Sequence, residues 1–120
     1  MAQPTQSPIL SQVRVAAGLA FTAGQVGVNP RTGQLAGADI TSQAVQLMSN
    51  LKTQLESVGC GLGQIVKANC YLKNIADYDA FNSVYRTFFP SNPPVRTCVI
   101  VKDLPGGVLA EMEAIAELSI

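Results

Sequence analysis

The sequence predicts an α+β domain in which one mixed β-sheet carries two helices on one face, in the order β-β-α-β-α-β-β. Two segments have apolar residues at helical spacing, and the segment between them alternates like a strand. Each end of the chain has two short strand-like segments that are separated by turn residues. A chain of 120 residues has room for one such core, so residues 1–120 are predicted to form one domain with residues 1–8 as a loose N-terminal arm.

The first half of the chain begins with a predicted hairpin and ends with a helix. Residues 12–17 and 19–23 alternate like strands, and Gly18 supplies the turn between them. The helix is expected to begin at a cap at position 39, 41 or 42 and to stop at Gly59. Its apolar positions recur every three or four residues: Ala44, Leu47, Met48, Leu51, Leu55 and Val58.

The second half is predicted to contain a strand, a helix and a final pair of strands. Residues 64–72 alternate like a strand, and a second helix is expected to begin at Asp77 and to end before the prolines of residues 90–94. Its apolar positions are Tyr78, Phe81, Val84, Tyr85 and Phe88. The last two strands are predicted in residues 95–101 and 111–116, which are rich in β-branched and small apolar side chains.

These last two strands also carry the candidate site. Residues 102–107 contain turn residues, so we expect the strands to pair as an antiparallel hairpin. Alternation puts Arg96 and Cys98 on one face of the first strand and Glu111 and Glu113 on one face of the second. Pairing would then bring a guanidinium, a thiol and carboxylates into one patch of an apolar sheet.

Composition limits the classes of partner. Charged residues make up 13% of the chain, about half the usual share, which favours burial of part of the surface against other subunits. The net charge is zero and no basic run occurs, so a nucleic-acid partner is not expected. No apolar run is long enough for a membrane span, and no signal peptide is evident, so the expected location is the cytoplasm.

Cysteine and histidine usage limits the chemistry. The three cysteines form no CxxC pair, which fits a reducing compartment better than disulfides or a zinc site. The absence of histidine excludes Ser-His and Cys-His dyads and histidine-bound metals. A metal is therefore not expected, and any chemistry must use Arg, Glu, Cys, Tyr, backbone groups and water.

Motifs along nearly the whole chain resemble those of the reactive intermediate deaminase family, also called RidA or YjgF. They occupy residues 23–25, 29–33, 66–73, 81–85, 88–89, 94–99, 104–105 and 111–116. The resemblance implies a fold like that of bacillus chorismate mutase, assembled as a homotrimer with a cleft between each pair of subunits. It also implies an activity without a cofactor: hydrolysis of short-lived enamines and imines, such as 2-aminoacrylate, to 2-keto acids and ammonia.

The same resemblance implies roles for individual residues. Arg96 matches the arginine that holds the substrate carboxylate, and Glu111 matches the glutamate that positions the attacking water. Cys98 and Asn82 match residues that line and shape the pocket, and Gly24 lies in a loop that borders the cleft.

Two positions at the edge of the expected pocket depart from the family pattern. Leu10 stands where the family usually has tyrosine, and Ala23 stands where it has serine. A phenol and a hydroxyl that could donate hydrogen bonds are thus missing, although the carboxylate-binding arginine is kept. The ligand class is therefore expected to be kept, whereas the preferred imine remains open.

The residues alone leave several alternatives. Arg96 could form a structural ion pair with Glu111 or Glu113 instead of binding a ligand, and Glu113 could take the role assigned to Glu111. Cys98 is interpreted as pocket lining, and among the tyrosines only Tyr71 is expected near the cleft. The alternative functions are a non-catalytic trimeric binder of small keto or amino acids and, less favoured, an RNA-acting translation inhibitor.

Overall fold

A mixed six-stranded β-sheet forms the centre of the structure, a computed structural model that describes residues 9–118. Its strands are β1 (Val13–Ala16), β2 (Leu19–Thr22), β3 (Gln25–Val26), β6 (Ile65–Leu72), β7 (Val95–Ile100) and β8 (Ala110–Glu117). The order across the sheet is β1-β2-β8-β6-β7, with β3 beside β8. A separate two-stranded hairpin, β4 (Val28–Asn29) with β5 (Gln34–Leu35), was not expected. The N-terminal arm predicted in residues 1–8 lies outside the described residues.

Two helices pack on one face of this sheet, as predicted. They are α1 (Ile40–Glu56) and α2 (Tyr78–Phe88). Their apolar positions form one core with alternate residues of β6 and β8, namely Ala68, Cys70, Leu72, Ala110, Met112, Ala114 and Ala116. The opposite face carries no helix within the described residues, and we call it the open face. No helix in this part of the chain is long and apolar enough to cross a membrane.

Local signals in the first half of the chain fold as the sequence predicts. The hairpin β1–β2 turns at Ala17 and Gly18, which both have positive φ, as a two-residue turn between twisted strands requires. Helix α1 begins after Asp39, whose Oδ2 accepts a hydrogen bond from the Ser42 amide at 2.8 Å. Gly59 follows the helix with a φ of 85°, a conformation that favours glycine.

The predicted hairpin between the last two strands is wrong. Strand β6 lies between β7 and β8, antiparallel to β8 and parallel to β7. A parallel pair needs a crossover connection, and α2 provides it by carrying the chain from the end of β6 back to the start of β7. Residues 101–109 then cross the end of β6 to reach β8, so β7 is left as an edge strand.

Candidate functional site

The sheet separates the two groups of residues that the sequence predicted to converge. Arg96 pairs in register with Ala68, which pairs with Ala114, and this row faces the helices. Glu113 pairs with Asn69, one position along, and this row faces the open side. Because paired residues share a face, Arg96 and Cys98 lie on the helix face, whereas Glu111 and Glu113 lie on the open face. Convergence on one patch of a single chain is therefore wrong.

Arg96 is held by three side chains from one face of α2. Its Nη1 donates to Asn82 Oδ1 at 2.7 Å, and its Nη2 donates to the Tyr78 hydroxyl at 3.3 Å. The guanidinium carbon lies 4.7 Å from the centroid of the Tyr85 ring and 5.8 Å from that of Tyr78. Positions 78, 82 and 85 are spaced as i, i+4 and i+7, so a single helical stripe supplies all three groups. We call Tyr78, Asn82 and Tyr85 the Arg96 cradle.

The cradle is electrically neutral, and Arg96 has no counter-ion in the described part of the chain. The one ion pair among residues 9–118 joins Lys73 and Asp103, with a nitrogen–oxygen distance of 3.6 Å. The structural ion pair of Arg96 with Glu111 or Glu113 is therefore absent. A guanidinium has more N–H groups than the two that Asn82 and Tyr78 use, and the remaining ones can bind an anion.

The sequence predicted core positions for both tyrosines of the cradle and did not predict their contact with Arg96. Tyr78 was predicted on the buried side of α2, but its side chain is 37% exposed, at the start of the helix. Tyr85 is buried as predicted, yet its ring also lies beneath the guanidinium. The signal that could have identified the cradle is the spacing of two aromatic rings and an amide on one helical face, because such rings attract cations.

Cys98 lies on the same face as Arg96, two residues farther along β7 and beside Cys70. Burial raises the pKa of the Cys70 thiol to about 12, more than the positive charge of Arg96 lowers it. The pKa of Cys98 is raised for the same reason, again against the effect of Arg96. Both thiols are therefore protonated near neutral pH, so Cys98 can line the site but is a poor nucleophile.

Glu111 lies on the open face, against the loop that joins β2 to β3. A Cβ atom at Gly24 would overlap the Glu111 carboxylate, so only glycine permits this close approach. No hydrogen bond to this carboxylate is found within residues 9–118. Burial and, secondarily, the nearby charge of Glu113 raise the pKa of Glu111 above its ordinary value of 4.5.

The neighbouring carboxylate of Glu113, unlike that of Glu111, accepts hydrogen bonds from two side chains. Its Oε2 accepts hydrogen bonds from Asn69 Nδ2 and from the Tyr71 hydroxyl, both at 3.0 Å. Tyr71 thus lies on the open face, bonded to a carboxylate, and not beside Arg96. Of the two glutamates, Glu113 is fixed by its neighbours, whereas Glu111 keeps its oxygens for a water or a ligand.

The remaining predicted residues lie on the Glu111 side. The Ala23 amide donates to Gln12 O at 2.8 Å, and the buried Gln25 side chain donates to Gln12 Oε1 and to Ala23 O. These bonds attach the segment that follows Leu10 to the loop containing Gly24, and Leu10 itself is 46% exposed. The predicted residues therefore form two groups: Arg96, Cys98 and Asn82 in one, and Glu111, Gly24, Ala23 and Leu10 in the other.

Among known proteins, the chain is similar to a 2-iminobutanoate/2-iminopropanoate deaminase of Escherichia coli. The two are 40% identical over 99 residues, which cover 80% of this chain and 77% of the deaminase. A RutC family protein of Pyrococcus horikoshii is also 40% identical, over 106 residues that cover 88% of this chain and 84% of the relative.

Solved structures give the same result. The crystal structure of E. coli TdcF with bound serine superposes with a TM-score of 0.90 at 34% identity, covering 97% of this chain and 93% of TdcF. That of the E. coli YjgF gene product superposes with a TM-score of 0.89 at 35% identity, covering 95% and 91% of the two chains. The family model described as Endoribonuclease L-PSP matches residues 2–118. The chain therefore belongs to the Endoribonuclease L-PSP family, which includes the YjgF, RutC and RidA proteins.

Proposed function

We propose that this protein hydrolyses small 2-imino acids and their enamine tautomers to 2-oxo acids and ammonia. The observation that carries the proposal is the partly buried guanidinium of Arg96, whose partners among residues 9–118 are all neutral. Keeping a cation partly buried without a counter-ion is costly unless an anion binds there. The similarity to a 2-iminobutanoate/2-iminopropanoate deaminase supports a small carboxylate as that anion.

In this proposal, Arg96 binds the carboxylate of the substrate through two parallel N–H···O bonds. Asn82 and the ring of Tyr85 fix the plane of the guanidinium before the ligand arrives, which reduces the entropy lost on binding. Cys98 lines the same side as a small, protonated thiol. These residues position the substrate and leave the chemical step to another group.

Glu111 is the proposed acid–base group. Its carboxylate takes a proton from a water molecule as the water oxygen bonds to the imine carbon, and it gives this proton to nitrogen, which has received the C=N electron pair. The carboxylate then takes the remaining proton from the new hydroxyl group as the C=O bond forms and the C–N bond breaks. It passes this second proton to the leaving nitrogen, so ammonia departs, the 2-oxo acid remains and Glu111 is again ionised. A raised pKa suits this role, because the group must both accept and return a proton near neutral pH.

Arg96 and Glu111 cannot contact one small ligand within one chain, because they lie on opposite faces and two strand spacings apart, about 10 Å across the sheet. We therefore propose a homotrimer in which the Arg96 edge of one subunit meets the Glu111 face of the next. The exposed side chains of Phe21, Val95 and Val99 on the open face support burial by another subunit.

A coupled assay tests the activity. A pyridoxal-phosphate-dependent serine or threonine dehydratase releases the enamine, and the rate of 2-oxo acid formation is followed with and without this protein. We expect acceleration by the native protein and a loss of at least about 100-fold in Arg96→Ala, the cost of charge-assisted hydrogen bonds. Arg86→Ala is the matched control, since Arg86 is exposed on the same helix and outside the cradle.

Two results would count against the proposal. Equal acceleration by the native protein and Arg96→Ala would remove Arg96 from the site. Binding of a 2-oxo acid without any acceleration would instead identify the protein as a non-catalytic binder, the alternative that Leu10 and Ala23 raised.

A further inference from the structure

The Arg96 cradle contains an exposed phenol that the proposed function does not use. Tyr78 is the first residue of α2, and its hydroxyl lies 3.3 Å from Arg96 Nη2. The side chain is 37% exposed, whereas Tyr85 in the same cradle is buried. Tyr78 is therefore a phenol at the accessible end of the site.

The direction of this hydrogen bond determines what Tyr78 can still do. Arginine has donors and no acceptor, so Nη2 donates and the phenol oxygen accepts. The hydroxyl proton cannot be used on Arg96, and no acceptor for it is found within residues 9–118. An exposed O–H donor thus stands directly beside the N–H donors of the guanidinium.

We infer that Tyr78 is a second ligand-contacting residue, which donates a hydrogen bond to the polar atom on the carbon next to the ligand carboxylate. In a 2-oxo or 2-imino acid, this oxygen or nitrogen is separated from the carboxylate by one carbon–carbon bond. Two donors 3.3 Å apart match two acceptors on adjacent carbons, with the carboxylate on Arg96 and its neighbour on Tyr78. The inference rests on the proposed function, because it assumes that Arg96 binds the carboxylate.

The role predicted for Tyr78 is selection of the substrate class. A plain carboxylate such as propanoate would use Arg96 alone, whereas pyruvate would use both residues. A site built to hydrogen-bond a substrate atom discriminates against the analogue that lacks it.

Binding of pyruvate and propanoate to the full-length protein, followed by NMR titration, tests this inference. We expect Tyr78→Phe to weaken pyruvate binding roughly 3- to 10-fold, the range for one hydrogen bond, and to leave propanoate binding unchanged. Ser83→Ala is the control, since it also removes a hydroxyl from α2, one bonded to the helix backbone at Asp79. Thermal unfolding of each variant checks that the fold is kept.

Three outcomes would overturn the inference. Equal weakening of both ligands would mean that Tyr78 acts only by positioning Arg96. Unchanged binding of both ligands by Tyr78→Phe would mean that the hydroxyl makes no contact. Failure of the native protein to bind either ligand, or unchanged binding in Arg96→Ala, would instead overturn the proposed carboxylate site, and Tyr78 with it.

Discussion

Arg96 and Glu111 lie on opposite faces of the same sheet, and their surroundings differ in how far they stabilise the charge of each side chain. Arg96 is held by an amide, a phenol and an aromatic ring from one helix, so its charge is fixed in position and lacks only an anion. Glu111 rests on a glycine, without a hydrogen-bond donor among the described residues, beside a second carboxylate. A preorganised cation suits binding, whereas a carboxylate with a raised pKa suits proton transfer.

The proposed assembly gives a physical reason for the separation of Arg96 from Glu111. A guanidinium and a carboxylate on the same face would pair with each other, and the pair would neutralise both groups. With the sheet between them, the guanidinium of Arg96 has no carboxylate partner among the described residues, and Glu111 keeps its raised pKa. In the proposed assembly, a neighbouring subunit brings the two groups together with only the ligand between them.

Removing the carboxylate of Glu111 should have the largest effect on the chemical step. Glu111→Gln keeps the shape of the side chain but cannot accept a proton, so kcat should fall about 100-fold or more. The affinity for pyruvate should change little, because Arg96 binds its carboxylate. The variant would then lose the chemical step and keep ligand binding. Ionised Glu111 is disfavoured by the fold, because its folded pKa lies above the unfolded value, so the variant should unfold at a slightly higher temperature near neutral pH. A normal kcat in Glu111→Gln would exclude the proposed proton transfer.

A smaller but distinctive loss is expected when the glycine beneath Glu111 is changed. Gly24→Ala places a methyl group where the carboxylate lies, so Glu111 must move, and kcat should fall about 10-fold through misplacement of a catalytic group. Gly63→Ala is the matched control, since open space surrounds that position and its φ is not positive. Steady-state kinetics of the two variants measure the difference, and equal activities would show that the position of Glu111 is unimportant.

The smallest expected effect is a shift in the pH dependence of kcat. As the pH falls through the folded pKa of Glu111, the carboxylate becomes protonated and the rate should decline, at a pH above the ordinary value of 4.5. In Glu113→Gln, one negative charge next to Glu111 is removed, which lowers the pKa of Glu111. The acidic limb of the kcat profile should therefore move to lower pH. A limb that stays in place or moves upward would show that Glu113 does not raise this pKa.

The elements that the sequence predicts well are those that local chemistry determines. The cap at Asp39, the apolar stripe of α1 and the turn at Gly18 depend on residues close in the chain, and the structure contains all three. The pairing of β7 depends on the crossover through α2 and on the position of β6 between β7 and β8. The spacing of apolar residues along the chain carries no information about either. The wrong pairing of β7 with β8 is why the sequence placed Arg96 on the same face as Glu111.

The candidate residues illustrate the same limit. Arg96 and Glu111 could be selected from residue type and family resemblance, but their separation by the sheet could not. Tyr78 was missed because an aromatic residue at helical spacing predicts a core position, whereas the side chain at this first position of α2 is partly exposed and contacts Arg96.

Mixing two inactive variants tests the shared site most directly. Arg96→Ala and Glu111→Gln subunits are each expected to be inactive as pure trimers. After unfolding and refolding together in equal amounts, about one quarter of the interfaces should combine an intact Arg96 with an intact Glu111, if each site uses one residue from each neighbour. We predict recovery of about a quarter of the native activity in the mixture. A mixture that forms hybrid trimers yet remains as inactive as its two parents would contradict the account.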